Sequence, residues 1–424
     1  MYQFSSKLKT AAFALMIIGA LGIGWGFLSA PSTVEEAKEI VAHSYDGHHG
    51  GVGSADAHAD SHADEHHDAS HDVHTLHQLQ NRPWSAVYVG IFFFMMIALG
   101  VLAFYAIQHV AQAGWSIVLF RVMEGITAYL PIGAVILFAF LVLSSLHMNH
   151  VFAWMDPALV DPDSPTFDHL LYDKKGYLNV PFFLIRSAIY IAGWLWYRHY
   201  TKKQSLKLDA AAEGDLTHYK KTFKASAIFL VFFLVSESMM SWDWLMSIDH
   251  HWFSTLYGWY VFAGMFVCGI TTIAMITIYL KSKGLLEYVN DSHIHDLAKF
   301  MFGFSVFWTY LWFSQFMLIW YADIPEEVTY YVQRFEEVKV PFLTMVAMNF
   351  AFPVLLLMNS DYKRLPWFVV MGGIVILLGH YIDVYLLITP GSVGAQWKFL
   401  SVEVIGSMLF FLGLFIFVVF TALS

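Results

Sequence analysis

Apolar and polar positions alternate along this chain in long blocks rather than at short periods. Ten apolar runs are each long enough to cross a bilayer as a helix, for which about 20 residues are needed. Short polar connections separate most of them. The pattern predicts an all-α polytopic membrane protein with about ten transmembrane helices. The approximate limits of the runs are 9–29, 84–109, 115–146, 180–199, 222–241, 255–281, 293–321, 337–358, 365–388 and 398–422.

An internal repeat organises these runs. The sequence 179–184 (NVPFFL) opens the fourth run, and 339–343 (KVPFL) opens the eighth. An aromatic–acid–proline segment precedes each of them by one connection, at 154–157 and at 320–325. Because the repeat unit is four helices, both copies have the same topology, as in parallel-repeat membrane proteins. Proline in the first turn of a helix is also common for local reasons. We expect two four-helix bundles, at 84–241 and 242–388, flanked by a first transmembrane helix at 1–29 and a last one at 389–424. Residues 30–83 are expected to form a periplasmic loop.

Lysine and arginine predict the orientation of the helices. The basic residues cluster in alternate connections, at 198–224, 281–283 and 363–364. Such connections stay in the cytoplasm. We therefore expect a multi-pass protein of the bacterial inner (cytoplasmic) membrane with both termini cytoplasmic. The first run is expected to be a retained helix rather than a signal peptide, since its apolar core is long and Pro31 follows the possible cleavage site at Ser29-Ala30.

The composition excludes several kinds of protein and several kinds of binding site. Only 13% of the 424 residues are charged, whereas roughly a quarter is usual for a soluble protein. The single cysteine, Cys268, excludes a disulfide framework, an iron–sulfur cluster and a cysteine-based zinc site. Haem ligation is not expected, because only His380 lies well inside an apolar run. A net charge of −10 without a basic tract argues against nucleic acid as a partner.

The long connection 30–83 carries about half of the 21 histidines. Its part from 43 to 77 is poor in apolar residues, and we expect it to be disordered. Because no ligand spacing recurs, a solvated and pH-responsive segment is favoured over a metal site. The weak candidates for metal ligands there are His48, His49, His66 and His67.

A segment rich in tryptophan, aspartate and histidine links the fifth and sixth runs, and we call this segment, residues 242–254, the crossing. Glu237 lies inside the fifth run, and an acid within the hydrocarbon region marks function by default. The alternative is a well-anchored interfacial loop, because tryptophan prefers that depth. His380 and Asp383, three residues apart in the ninth run, share one helix face.

Carboxylates and histidines inside a bundle suit a proton relay or a quinol site, because a quinol must give two protons to bases. The alternative for each residue is structural, with Arg186 pairing with one of the acids. The candidates for a quinone-proximal or proton-conducting site are Glu237, Asp243, Asp249, His250, His380, Asp383, Arg186 and Gln315, with Glu403 at similar depth. Arg121 and Glu124 are candidates for the cytoplasmic mouth of a half-channel.

Two segments resemble a known family. Residues 243–258 (DWLMSIDHHWFSTLYG) and 313–327 (FSQFMLIWYADIPEE) are similar to the polysulfide-reductase/NrfD-like membrane subunits of alternative complex III. The resemblance extends from about Pro83 to the end. The length and the histidine-rich connection are more similar to the ActF-like branch than to the larger ActC-like paralogue.

This resemblance implies a subunit of a quinol:cytochrome c (electron acceptor) oxidoreductase that carries no covalently bound redox cofactor. The haems and iron–sulfur clusters are expected in partner subunits, namely a multihaem cytochrome and an iron–sulfur subunit beside the ActC-like paralogue. The paralogue is the better candidate for the quinol site, and this chain is expected to hold a quinone or lipid or to carry protons. Two alternatives remain open: a secondary transporter, although only Pro131 and Pro353 lie within runs, and a purely structural subunit that binds lipid and docks partners.

Overall fold

The computed structural model describes residues 2–46 and 64–424, with side chains from 2 to 42 and from 72 onward. All regular secondary structure in the described part is helical, and this part contains no strand. The prediction of an all-α protein is therefore confirmed. Its α-helices are α1 Ser6–Leu28, α2 Val34–Asp46, α3 Asp64–Val110, α4 Phe120–Ile126, α5 Leu130–Ser145, α6 His169–Lys174, α7 Val180–Asp209, α8 Thr217–Trp244, α9 Tyr257–Ser282, α10 Asp291–Ala322, α11 Pro325–Glu336, α12 Lys339–Val346, α13 Phe352–Leu357, α14 Pro366–Val393 and α15 Val402–Leu423.

Ten spans within the described residues are long and apolar enough to cross a membrane, and each coincides with one predicted run. Two spans are interrupted helices. In the third, a 3₁₀ turn joins α4 to α5. In the eighth, a π-helical turn at Ala347–Ala351 joins α12 to α13. Polypeptides that cross lipid keep their backbone hydrogen bonds within helices, which explains why the connections lie at the two ends of the molecule.

The structure has helix at both ends of the segment 43–77, for which the sequence predicts disorder. Helix α2 continues to Asp46 and α3 begins at Asp64, about twenty residues before the predicted run. Extending an existing helix costs little, because nucleation has occurred in its buried half. Helix α2 packs on this extension, and Lys38 lies 2.6 Å from Asp72. The candidates His48 and His49, and the side chains of His66 and His67, lie outside the described residues.

The centre of the molecule is the contact between α3 and α9, the first helices of the two predicted repeats. Their membrane spans are 94% and 83% buried. A Cβ atom on Gly100 would lie 2.4 Å from the backbone oxygen of Met265, and one on Gly269 would lie 3.0 Å from the backbone of Gly100. The two backbones therefore touch where neither residue has a side chain, as small residues permit in membrane helix pairs.

The first and last spans pair with each other on the periphery. A Cβ atom on Gly19 of α1 would lie 2.3 Å from the backbone nitrogen of Phe410, and one on Gly406 of α15 would lie 2.9 Å from Gly22. The rest of the α1 surface is exposed, since only 17% of its span is buried. This pair packs against α3 through α15.

Both repeated segments begin helices as predicted, with a proline in the first turn of α7 and of α12. The side chain of Asn179 caps α7 by accepting from the backbone N–H of Phe182 at 3.0 Å. Helices α7, α9 and α15 begin at the end of the molecule that carries the crossing, and α8, α10 and α14 end there. We call this the crossing end. The basic connections lie at the opposite end.

Candidate functional site

The first buried charge cluster is an ion pair between α7 and α8. Arg186 Nε donates to Asp243 Oδ2 at 2.9 Å and Nη2 donates to Oδ1 at 2.8 Å. The hydroxyl of Tyr190 donates to Oδ2 at 2.9 Å. The side chains of Arg186 and Asp243 are 4% and 0% exposed. The carboxylate is therefore neutralised by a fixed cation, which is the structural arrangement that the sequence left open for Arg186.

The second cluster surrounds Asp383 on α14 and has a different chemistry. The hydroxyl of Tyr260 donates to Oδ1, and Trp308 Nε1 donates to Oδ2 at 3.1 Å. His380 Nδ1 lies 3.3 Å from the same oxygen. In the part of the chain that the structure describes, the ion-pair partner of Asp383 is this histidine and not an arginine or lysine. The negative charge is thus held by groups that exchange protons or donate hydrogen bonds.

A cavity of about 20 Å³ adjoins Asp383 and is also lined by Gln315, Tyr331 and Arg334. A space of at least 10–15 Å³ is roughly what one water molecule needs. Arg334 does not reach the carboxylate: it donates to the backbone oxygens of Tyr330 at 2.8 Å and Leu386 at 3.1 Å. The cavity therefore offers a water several polar partners next to an aspartate.

Polar groups without partners continue from this cluster into the bundle. His380 Nε2, both amide atoms of Asn349 and the hydroxyls of Ser305, Thr271 and Thr277 have no hydrogen-bond partner among the described residues. All five side chains belong to buried residues of the second predicted repeat. Buried polar groups in proteins are nearly always paired with protein or with water. These groups are therefore available to bind water inside the bundle.

Close contacts of α14 with its neighbours show how these groups are arranged. A Cβ atom on Gly264 of α9 would lie 3.5 Å from His380 Nδ1, and one on Gly379 would lie 2.2 Å from Asn349 Oδ1. A Cβ atom on Gly373 would lie 3.1 Å from the Thr271 methyl group. Thr271 is seven residues beyond Gly264, so it lies about 10 Å nearer to the opposite end. The partnerless groups thus begin beside Asp383 and extend along α9 and α14.

Glu237 is a further buried carboxyl on α8, apart from Asp243. It is 3% exposed on α8, and its Oε1 has no hydrogen-bond partner within the described chain. It precedes Asp243 by six residues, about 9 Å along the helix. The sequence placed Glu237 with the other acids, and the structure leaves it as a separate buried carboxyl.

The crossing folds over the bundle and contains Asp249 and His250. Burial lowers the pKa of His250 to about 4, with the nearby His251 adding to the effect. Burial raises the pKa of Asp249 above its usual value, against the opposing charges of Arg334, His251 and Lys174. Both residues are thus inclined towards their neutral forms.

A larger cavity of about 250 Å³ lies beside the crossing, with walls that include Trp242, Tyr177, Lys174, His250 and Trp252. The ring of Trp252 stacks on Tyr330 with centroids 3.9 Å apart. Tyr330 also lines the small cavity beside Asp383. One stacked aromatic pair therefore separates the crossing cavity from the buried aspartate.

Arg121 and Glu124 lie together at the opposite end. Arg121 Nη1 donates to Glu124 at 2.8 Å and also contacts Asp209. Tyr105 donates to the other oxygen of Glu124 at 3.1 Å. Next to Tyr105 is His109, which is 4% exposed and has no partner in the described structure for either ring nitrogen. The predicted pair is thus part of a larger polar cluster.

The sequence identified the charged members of these clusters but missed residues that complete them. Tyr260 and Trp308 were not predicted because aromatic residues are frequent in this chain. Arg334 was not predicted because it lies on α11, a short helix between two spans. The spacing of Tyr330 and Arg334, four residues apart on one helix face, was an available signal. Compared with known proteins, the chain matches no protein-family model and no curated protein.

Proposed function

We propose that the chain is a membrane subunit of a quinol-oxidising respiratory complex, in which it carries protons away from a quinone-proximal site. The observation that supports this most directly is Asp383, a carboxylate in a membrane span that is held by Tyr260, Trp308 and His380. Both oxygens of Asp243 are bound by a guanidinium, whereas Asp383 has beside it a histidine, a residue type that serves in proton transfer, and a water-sized cavity.

Quinol oxidation releases two protons and two electrons, and this chain offers groups for the protons only. The partnerless groups beyond His380 provide donors and acceptors for a water-mediated proton path between Asp383 and the opposite end. Electrons would leave to a partner, since a single buried cysteine holds no cluster.

The crossing cavity suits the head group of a quinol. Its volume of about 250 Å³ is below the roughly 300–1,000 Å³ of a complete ligand pocket, so it would admit a ring while the tail lies in lipid. Tryptophan and tyrosine supply apolar walls, and His250 and Lys174 supply polar contacts. A proton would pass from there along Asp249 and the edge of the Trp252–Tyr330 pair to Asp383.

The asymmetry between the two buried aspartates supports placing the proton path in the second repeat. Asp243 is fixed by Arg186, whereas Asp383 lacks such a cation among the described residues. The second repeat would then hold the main part of the path, and the first repeat would contribute Glu237. The partners follow from the family resemblance: an ActC-like paralogue, an iron–sulfur subunit and a multihaem cytochrome in the bacterial inner membrane.

A secondary transporter is the second candidate, and one observation favours it. The eighth span is broken by the π-helical turn Ala347–Ala351, followed by Pro353, and the buried Asn349 in that turn has no partner among the described residues. Interrupted helices with free polar groups near the midplane form substrate sites in many transporters.

The test uses the protein purified from its native membrane in mild detergent. We expect iron–sulfur and multihaem cytochrome subunits to co-purify, with a haem spectrum and quinol:cytochrome c activity. A chain that purifies alone without haem or quinone would refute the proposal and leave the transporter as the better candidate.

The variant Asp383→Asn tests the site itself. It keeps the shape of the side chain but cannot carry a proton at neutral pH, and we expect turnover to fall by at least ~10²-fold, as for loss of an acid–base group. The complex should still assemble. The matched control is Asp323→Asn, an exposed residue at the crossing end in the left-handed conformation that asparagine also adopts. Normal turnover and proton release in assembled Asp383→Asn complex would contradict the proposal.

A further inference from the structure

We propose a divalent transition-metal site, suited to Zn²⁺, formed by Asp168, His250 and His251 at the surface of the crossing end. One ligand atom of each residue lies within 4.8 Å of the others. Asp168 Oδ2 lies 3.5 Å from His250 Nε2 and is in direct contact with His251 Nε2. Two imidazoles and one carboxylate are a donor set that Zn²⁺ accepts, with a water completing the tetrahedron.

The carboxylate is oriented before any metal binds. Asp168 caps the short helix α6, and its Oδ1 accepts the backbone N–H of Leu171 at 3.1 Å. That bond leaves Oδ2 directed at the histidines. Ligands that are held by a second set of hydrogen bonds bind metal more tightly than free ones.

The histidines are also held in place. Lys174, at the end of α6, donates to the backbone oxygen of His250 at 2.7 Å, so the helix that carries Asp168 also fixes the crossing. The rings of His250 and His251 are adjacent, with centroids 4.3 Å apart and planes inclined by 60°. Neighbouring residues of an extended chain direct their side chains apart, and the turn at the crossing instead brings both Nε2 atoms to one oxygen.

Exposure and charge permit a metal ion to enter. The side chains of Asp168 and His250 are each 16% exposed, and that of His251 is 55% exposed. The ion would therefore be enclosed by Asp168 and His250 and open to water beside His251. Lys174 is the nearby cation, and its ammonium is occupied by the His250 oxygen while Asp168 and Asp249 oppose its charge.

A metal here would join the segment before α6 to the crossing and so hold one wall of the crossing cavity, to which Lys174 and His250 both contribute. The site rests on its own geometry and would exist whether or not the chain serves a quinol-oxidising complex. Its test must separate it from the histidine-rich segment, which can bind metal without a defined geometry.

The experiment compares four full-length proteins stripped with chelator and then loaded with Zn²⁺ alone: wild type, His251→Ala, Asp168→Asn and His169→Ala. His251 is exposed, and asparagine at 168 can still cap α6, so both variants should fold. His169 is an exposed histidine on α6 that pairs with Asp173 rather than with the cluster, and it is the matched control. The histidine-rich segment contributes equally to all four proteins.

We expect wild type and His169→Ala to retain one more equivalent of zinc after gel filtration than the two cluster variants, or to bind that equivalent at least tenfold more tightly. Loading with Co²⁺ should give the visible spectrum of a tetrahedral histidine–carboxylate site in wild type, and this spectrum should be lost in His251→Ala. Equal metal content, affinity and cobalt spectra in all four proteins would overturn the proposal and assign any bound metal to the histidine-rich segment.

Discussion

Replacing a buried aspartate by asparagine should lower the stability of the protein at Asp243 but not at Asp383. In Asp243→Asn, the guanidinium of Arg186 stays buried with its charge uncompensated. The pair is 4% and 0% exposed, and no carboxylate besides Asp243 bonds to Arg186 among the described residues. Breaking a buried ion pair by removing one partner costs about 3–5 kcal/mol. Part of the hydrogen bonding survives, because asparagine still has one oxygen for Tyr190 or Arg186.

The free energy of unfolding should therefore fall by about 3–5 kcal/mol, a change of roughly 100-fold to several thousand-fold in the unfolding equilibrium. The assay is thermal and denaturant unfolding of the purified protein in one detergent. Asp383→Asn is the internal control, since its partners are neutral donors or a histidine and no fixed cation is left unpaired.

A double variant separates charge from packing. Replacing both partners by apolar residues of similar size, Arg186→Met with Asp243→Leu, should recover most of the lost stability, because hydrophobic replacement of a buried pair is often neutral. The reasoning is refuted if Asp243→Asn unfolds like wild type, or if Asp383→Asn loses as much stability as Asp243→Asn.

Two further substitutions test the helix contacts and the isolated acid. Gly100→Ala should destabilise the protein strongly, because the new Cβ atom would lie 2.4 Å from the backbone oxygen of Met265. The control is Gly303→Ala, whose Cβ atom would meet nothing within 4 Å and which should be neutral or stabilising by ~0.5–1 kcal/mol. Equal melting temperatures of the two variants would contradict the packing of α3 on α9. Glu237→Gln should lower quinol turnover and proton release without preventing assembly, since the carboxyl is buried away from any cation in the described chain; an assembled variant with unchanged turnover would exclude Glu237 from the path.

The sequence predicted the spans well because crossing a bilayer imposes a length and an apolar composition that are visible locally. The starts of α7 and α12 were also predictable from local sequence, because each has a proline in its first turn. The pair His380–Asp383 followed from helical spacing alone. These features depend on residues close together in the chain.

The contacts between distant segments could not be predicted. Asp168 and His250 are separated by two spans and a connection, and neither position carries a periodic signal. Tyr260 and Trp308 look like any other interfacial or core aromatic residue until α9, α10 and α14 are packed together. The extension of α3 to Asp64 was missed because composition describes the intrinsic tendency of a segment, whereas packing against α2 decides its conformation.

The pairing of α1 with α15 has a consequence for the biogenesis of the protein. Helix α1 is made long before α15, and its glycine face receives its partner only when α15 has been made, on the order of tens of seconds later at usual synthesis rates. During that interval Gly19 and Gly22 face lipid or an insertion factor. A chain that stops before α15 would therefore present an unpaired glycine surface on α1 that membrane quality control could recognise.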